Sequence, residues 1–161
     1  MINKISLIWF FGFLVSGCTT NNLIKQESAF IVIKTPSMKY ADMGFISNSS
    51  SKVKVDIYAA GQPLMNFEIN ALNVCMSTFE CMDKKSFNEK VLSSIYPDDI
   101  LENIFRAKPI FNSKELMQNK DGSFSQKLTK KGVYDISYSV NEKQRTFRDS
   151  INKILIKVRE Q

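Results

Sequence analysis

Residues 52–71, KVKVDIYAAGQPLMNFEINA, contain two runs of alternating apolar and polar side chains on either side of a glycine-bearing turn. The apolar positions are Val53, Val55, Ile57, Met65, Phe67, Ile69 and Ala71. A period of two residues is typical of a strand with one buried and one solvated face. Because the two runs are separated by Ala59-Ala60-Gly61-Gln62-Pro63, the stretch predicts an antiparallel hairpin.

Similar strand patterns lie on both sides of this hairpin. The predicted strands are Phe30-Ile31-Val32-Ile33, ended by Pro36, then 42–46, 124–128, 134–140 and 154–158, with a short return strand at Thr146-Phe147. Polar or glycine-containing segments separate them, and we expect turns or loops at 48–51, 121–122, 129–132, 141–144 and 149–150. The chain is therefore predicted to be mainly antiparallel β.

Helical signals are confined to the middle of the chain. Ser86 followed by Glu89 is a capping box, which predicts a helix start. Pro97 suits the first position of a second helix, whose positive end Asp98 and Asp99 would compensate. A pair of helices is thus expected over residues 86–106, with Glu102 pairing Arg106 at i,i+4, followed by a single helical turn over 114–118.

These patterns predict an α+β fold, in which a mainly antiparallel β-sheet carries an inserted helix pair on one face. A β-sandwich with short helices is the alternative. Residues 29–161 are expected to form a single domain.

The first eighteen residues have a different composition. Lys4 precedes an almost entirely apolar run over 5–15, which is shorter than the roughly 20 residues of a comfortable membrane span. A charged start, a short apolar run and small residues form the pattern of a secretory signal. Here the small residues are followed by a cysteine, in the sequence Val15-Ser16-Gly17-Cys18.

This sequence resembles the lipobox of small bacterial lipoproteins, with Val15 where leucine is commoner. The resemblance implies that residues 1–17 are a cleaved signal peptide and that Cys18 is lipidated, with 18–28 as a polar tether. Thr19 follows in place of the aspartate associated with inner-membrane retention, so the resemblance favours the periplasmic face of the outer membrane. Two or more acyl chains on Cys18 anchor a protein stably.

Two further cysteines, Cys75 and Cys81, are the only thiols left if Cys18 carries lipid. An exported protein enters an oxidising compartment, so we expect these two to form a structural disulfide. A redox-catalytic pair is more often spaced Cys-x-x-Cys, and a metal site without histidine lacks ligands.

Composition excludes several functions. The chain has no histidine, which excludes Ser-His-Asp and Cys-His catalysis and imidazole metal sites. No metal or cofactor is expected. The formal net charge of +6 is moderate, with its densest clusters at Lys127, Lys130 and Lys131 and at Lys153, Lys157 and Arg159. Nucleic acid is not an expected partner of an exported protein without a binding motif.

Two sets of side chains are candidates for a functional site. Asp83, Asp98, Asp99 and Glu102 are the candidates for carboxylate catalysis, although helix capping already accounts for the adjacent pair. Tyr134 and Tyr138 share a strand face and suit either a ligand or the core.

The preferred functional expectation is a non-enzymatic accessory lipoprotein that binds a protein partner at the cell envelope, held to the membrane through Cys18. The alternatives are a lipoprotein that binds or carries lipid or glycolipid, and an envelope hydrolase that uses carboxylates. The lipid-carrier hypothesis predicts an apolar cleft rimmed by lysine or arginine.

Overall fold

The computed structural model describes residues 25–77 and 80–161. The predicted signal peptide, Cys18, Thr19 and residues 20–24 of the predicted tether lie outside the described residues.

In these residues the chain forms eleven strands, two short helices and one helical turn. The strands are β1 Lys25–Lys34, β2 Lys39–Asn48, β3 Lys52–Ala59, β4 Gln62–Asn70, β5 Asn73–Met76, β6 Glu80–Asp83, β7 Leu116–Gln118, β8 Phe124–Lys130, β9 Tyr134–Val140, β10 Gln144–Asp149 and β11 Ile154–Glu160. The helices are α1 Lys84–Val91 and α2 Ile100–Phe105, and the helical turn spans Phe111–Ser113. The predicted predominance of antiparallel β structure is confirmed.

All eleven strands belong to one antiparallel sheet in the order β6-β5-β4-β3-β2-β1-β11-β10-β9-β8-β7. The first and last strands are neighbours in the middle, where Ile31 pairs with Val158. The chain therefore runs from the middle of the sheet to one edge, passes through the two helices, and returns from the other edge.

The hairpin of β3 and β4 is formed as predicted, with Val55 opposite Phe67 and Ala59 opposite Gln62. Its two-residue turn consists of Ala60 and Gly61, both with positive φ, at 49° and 77°. Positive φ at both central residues defines the type I′ turn that matches the twist of paired strands, and glycine adopts it at no steric cost.

One face of the sheet is packed against the helical segment, and we call it the inner face. Phe87 of α1 meets Phe67 of β4 edge to face at 6.3 Å between ring centroids. Tyr96, between the helices, meets Phe147 of β10 at 5.8 Å. Because β4 and β10 belong to opposite halves of the sheet, the helical segment joins the two halves into one core. The largest fully buried side chains include Tyr138, Phe67, Phe87, Phe105 and Phe147.

The predicted capping box is wrong. Helix α1 begins at Lys84, and its N-cap is Asp83, whose carboxylate accepts hydrogen bonds from the Ser86 backbone N–H at 2.8 Å and the Ser86 hydroxyl at 2.7 Å. Asp83, the last residue of β6, takes the cap because its side chain reaches the third helical N–H. The second helix begins at Ile100, later than Pro97, and the predicted Glu102–Arg106 pair is present at 2.9 Å.

Two other boundaries differ from expectation. Residues 114–118 were predicted as a helical turn, but Leu116–Gln118 is strand β7, because the hairpin at 121–122 extends its pairing until Leu116 meets Gln126. The predicted tether ended at residue 28, but β1 begins at Lys25, which pairs with Asn48 of β2. No helix of the described segments is long and apolar enough to cross a bilayer.

Candidate functional site

Two surfaces of the described domain are candidates for binding. The first lies on the solvent-facing side of the sheet, opposite the helices, and the second is a cleft at one end of the strands.

The outer surface carries a group of apolar side chains that we call the outer-face patch, formed by Phe30, Val32, Met43, Phe45 and Tyr58. Phe30 and Met43 are direct partners across β1 and β2. The rings of Phe45 and Tyr58 meet at 5.9 Å and 82°. Met43 is 40% exposed and Phe45 is 41% exposed. A contiguous exposed apolar group of this kind marks an interaction surface more often than an isolated exposed side chain does.

Cations border the outer-face patch on the β11 side. Lys157 and Arg159 are the register partners of Val32 and Phe30, and the guanidinium of Arg159 lies 5.9 Å from the centre of the Phe30 ring. This distance is within the range of a cation–π contact. The basic cluster identified in the sequence at 153–159 therefore places two of its three members beside the patch.

The second surface is a cleft of about 320 Å³, which we call the end cleft. It is formed by the start of β1, the end of β2, the residues after α2, the turn between β9 and β10, and the end of β11. Its basic lining residues are Lys25, Arg106, Lys108, Lys143 and Arg145, and its acidic ones are Glu27, Glu142 and Glu160.

Arg145 forms an ion pair with Glu27 in the wall of the end cleft, and their side chains are 7% and 8% exposed. Glu160 lies 4.0 Å from the same guanidinium. Burial lowers the pKa of Arg145 to about 10, against the opposing charge of Glu160, so the arginine is still cationic at neutral pH. Two buried polar atoms in the cleft residues have no hydrogen-bond partner, namely Arg145 Nε and Asn48 Oδ1.

Three of the four acidic candidates have structural roles, and the fourth, Asp98, lies exposed just before α2. Asp83 caps α1, and Asp99 accepts a hydrogen bond from Asn103 at 2.8 Å. Glu102 bridges Lys84 at 2.7 Å and Arg106 at 2.9 Å. Burial alone would raise the pKa of Glu102, but the hydrogen bonds and charges of these two cations outweigh it and hold the pKa below its ordinary value. None of the four acidic candidates lines the end cleft.

The tyrosine pair belongs to the interior. Tyr138 is 1% exposed and its ring lies 5.6 Å from that of Phe124. Tyr134 is half-buried and contacts the ring of Phe111 at 5.5 Å. The lysines at 127–131 are exposed, and Lys127 is paired with Asp135 at 2.7 Å.

A buried carboxylate that the sequence did not single out holds the turn between β10 and β11. Asp149 is 1% exposed and accepts a hydrogen bond from the Tyr96 hydroxyl at 2.5 Å and from Asn152 Nδ2 at 2.7 Å. It also accepts the backbone N–H groups of Asp135, Ile151 and Asn152. Burial alone would raise the pKa of Asp149, but the hydrogen bonds from these donors outweigh it and hold the pKa below its ordinary value.

The predicted disulfide is present. Cys75 and Cys81 are joined, and they are direct partners in the pairing of β5 with β6, with 3.9 Å between their Cα atoms. The bond closes the short hairpin at the β6 edge of the sheet. Among the described residues, no three potential metal ligands lie together.

A comparison with protein-family models found no match, and a comparison with curated proteins found none either.

Proposed function

We propose that this protein is a lipid-anchored component of the bacterial envelope that acts, without catalysing a reaction, by binding a protein partner through the outer-face patch. The anchor is Cys18, exposed after cleavage of residues 1–17 and acylated. The observation that carries the binding proposal is the exposure of Met43 and Phe45 in a contiguous apolar group on the sheet face opposite the helices.

The partner is a protein that presents apolar side chains next to acidic ones. Lys157 and Arg159 border the patch on one side, so carboxylates of the partner would meet them while its apolar residues cover Phe45 and Met43. Complementary charge at the rim of an interface orients the partner and speeds association, and burial of the apolar centre supplies most of the affinity.

The fold supports this use of the outer face. We class it as a single sheet covered on one face by helices, because all strands share one hydrogen-bonded order and the inner-face residues pack on the helical segment. In such an arrangement the opposite face is the surface available for a partner.

Site-specific photo-crosslinking in cells tests the proposal. A photoreactive phenylalanine analogue replaces Phe45 in the full-length protein, and the matched control places it at Leu72, an apolar residue 75% exposed between β4 and β5. We expect one defined crosslinked partner from position 45 and none from position 72. The double charge reversal Lys157→Glu and Arg159→Glu is expected to weaken the crosslink.

Identical products from both positions, or none from position 45, would contradict the proposal. So would a crosslink from position 45 that the charge reversal leaves unchanged, because the partner would then lack the acidic residues that we assign to it.

A further inference from the structure

The end cleft is a built site and not an accidental surface depression. Its wall contains Arg145, buried and held by Glu27, and residues from five separate segments of the chain converge on it. The wall formed by the residues after α2 is fixed as well. Arg106 donates from Nη1 to the Ser49 carbonyl at 2.9 Å, and its Nε is held by Glu102.

Three lysines on the cleft are available to a ligand. In the described part of the chain, the side chains of Lys25, Lys108 and Lys143 take part in no hydrogen bond or ion pair. Lysine ammonium groups without carboxylate partners are suited to bind phosphate oxygens as point charges.

The acidic residues of the cleft limit the charge of the ligand. Five basic and three acidic residues give the lining a net charge of +2, which suits a singly charged phosphodiester better than a highly charged anion. Asn48 Oδ1 is a buried acceptor without a partner, and it is suited to a hydroxyl or ammonium group beside the phosphate.

The cleft also lies near the predicted anchor. Lys25 lines it, and this residue is seven positions after Cys18. An extended chain of seven residues reaches at most about 25 Å, so an anchor at Cys18 keeps this end of the sheet close to the membrane surface.

We propose that the end cleft binds a phosphodiester group that carries hydroxyl or ammonium donors, as found in phospholipid headgroups and in their soluble glycerophosphodiester counterparts. Lys108 and Lys143 contact the phosphate oxygens, and Asn48 accepts from the neighbouring donor. The membrane as the source of the ligand rests on the proposed lipid anchor, whereas the phosphodiester chemistry of the cleft does not.

The test uses the full-length acylated protein purified in a neutral detergent. Glycerophosphoglycerol and inorganic phosphate are titrated separately by isothermal titration calorimetry. The variant Lys108→Ala/Lys143→Ala is compared with Lys130→Ala/Lys131→Ala, which removes the same charge from exposed positions at the opposite end of the strands. We expect binding of glycerophosphoglycerol to weaken about tenfold or more in the first variant and to stay unchanged in the second.

A second arm identifies the source of the ligand. The protein is reconstituted into phosphatidylcholine vesicles with and without phosphatidylglycerol, and thermal unfolding is followed by circular dichroism. Binding to the folded state raises Tm, so we expect phosphatidylglycerol to raise it for the wild type and for Lys130→Ala/Lys131→Ala, and much less for Lys108→Ala/Lys143→Ala.

The proposal is overturned if the wild type binds no glycerophosphoglycerol, or if both double variants lose affinity equally, since net charge alone would then explain the binding. Binding of glycerophosphoglycerol without any effect of phosphatidylglycerol supports the phosphodiester site and overturns the membrane source. A protein found without acylation that still binds glycerophosphoglycerol leaves the cleft proposal standing and removes the anchor.

Discussion

Gln126 holds the segment after α2 in place through buried hydrogen bonds, and its replacement tests how much those bonds stabilise the domain. Its side chain is 2% exposed and makes three hydrogen bonds to the segment that follows α2. Nε2 donates to the carbonyls of Ile110 at 2.9 Å and Lys114 at 2.6 Å, and Oε1 accepts from the Ile110 N–H at 2.8 Å. Replacement by methionine keeps the approximate volume and removes all three bonds.

The expected cost follows from the groups left behind. Ile110 is fully buried, so its N–H would lose its hydrogen-bond partner away from water, whereas its C=O still accepts from the Ser113 N–H at 3.0 Å. At about 1–3 kcal/mol for an unsatisfied buried group, Gln126→Met should lower the free energy of unfolding by about 1–3 kcal/mol. This is a measurable part of the roughly 5–15 kcal/mol typical of a whole domain.

The same bonds hold a strained stretch of backbone. Phe111, Asn112 and Ser113 all have positive φ, at 50°, 53° and 61°. This conformation costs roughly 1–2 kcal/mol per residue and persists only where the surroundings fix it. We therefore expect the backbone amides of residues 110–115 to exchange their hydrogens faster in Gln126→Met than in the wild type, while those of the sheet change less.

Urea unfolding followed by far-ultraviolet circular dichroism measures the loss, and Gln118→Met, at an exposed position of β7, is the matched control. A loss below about 1 kcal/mol, or one equal to that of the control, would contradict this prediction, because water or a rearranged side chain would then satisfy the Ile110 N–H.

Three further outcomes are expected. The double variant Cys75→Ser/Cys81→Ser should lose about 2 kcal/mol in urea unfolding by the loop-entropy model, and a loss near zero would show that the β5–β6 hairpin is already fixed without the bond. Gly44→Ala should destabilise by about 1–3 kcal/mol or more, since its Cβ would lie within 2.8 Å of Ile31 Cδ1 and even closer to the Asp56 carbonyl oxygen of β3; an unchanged unfolding midpoint would contradict that close approach. The folded-state pKa of Asp149 lies below its ordinary value of 3.8, so its contribution is complete above that value and lost as the pH falls through the lowered pKa. The stability difference between wild type and Asp149→Asn should therefore shrink on acidification below about pH 4, and a difference that stayed constant from neutral to acidic pH would disprove the linkage.

Strand positions were predictable wherever one face is wet. Val53, Val55 and Ile57 alternate with exposed or half-exposed residues in β3, and the sequence shows the same alternation. The disulfide was also predictable, because only two cysteines remain once Cys18 is assigned to lipid.

The outer-face patch was missed partly because two of its residues, Phe30 and Val32, sit in an uninterrupted apolar run. Phe30-Ile31-Val32-Ile33 predicted a buried strand, but of these four residues only Ile31 and Ile33 are buried on the inner face. An apolar run has no period-two signal to tell the two faces apart. The position of Met43 and Phe45 beside Phe30 depends on the register between β1 and β2, which no local sequence pattern specifies.

The end cleft was missed for a topological reason. Glu27 and Arg145 are 118 positions apart and form an ion pair because the first strand pairs with β11, which in turn pairs with β10. Each looks like an ordinary surface charge in its own segment. The cap of α1 was missed for a local reason. The Ser86–Glu89 pattern predicted a helix start at Ser86, although Asp83, three residues earlier, is the N-cap.

The lipid anchor is tested most directly by the mass of the N-terminal peptide of the protein purified from bacterial membranes. We expect a peptide that begins at Cys18 and carries the added mass of two or three acyl chains. A peptide that retains Met1 with an unmodified thiol at Cys18 would contradict the lipid anchor and the envelope location together.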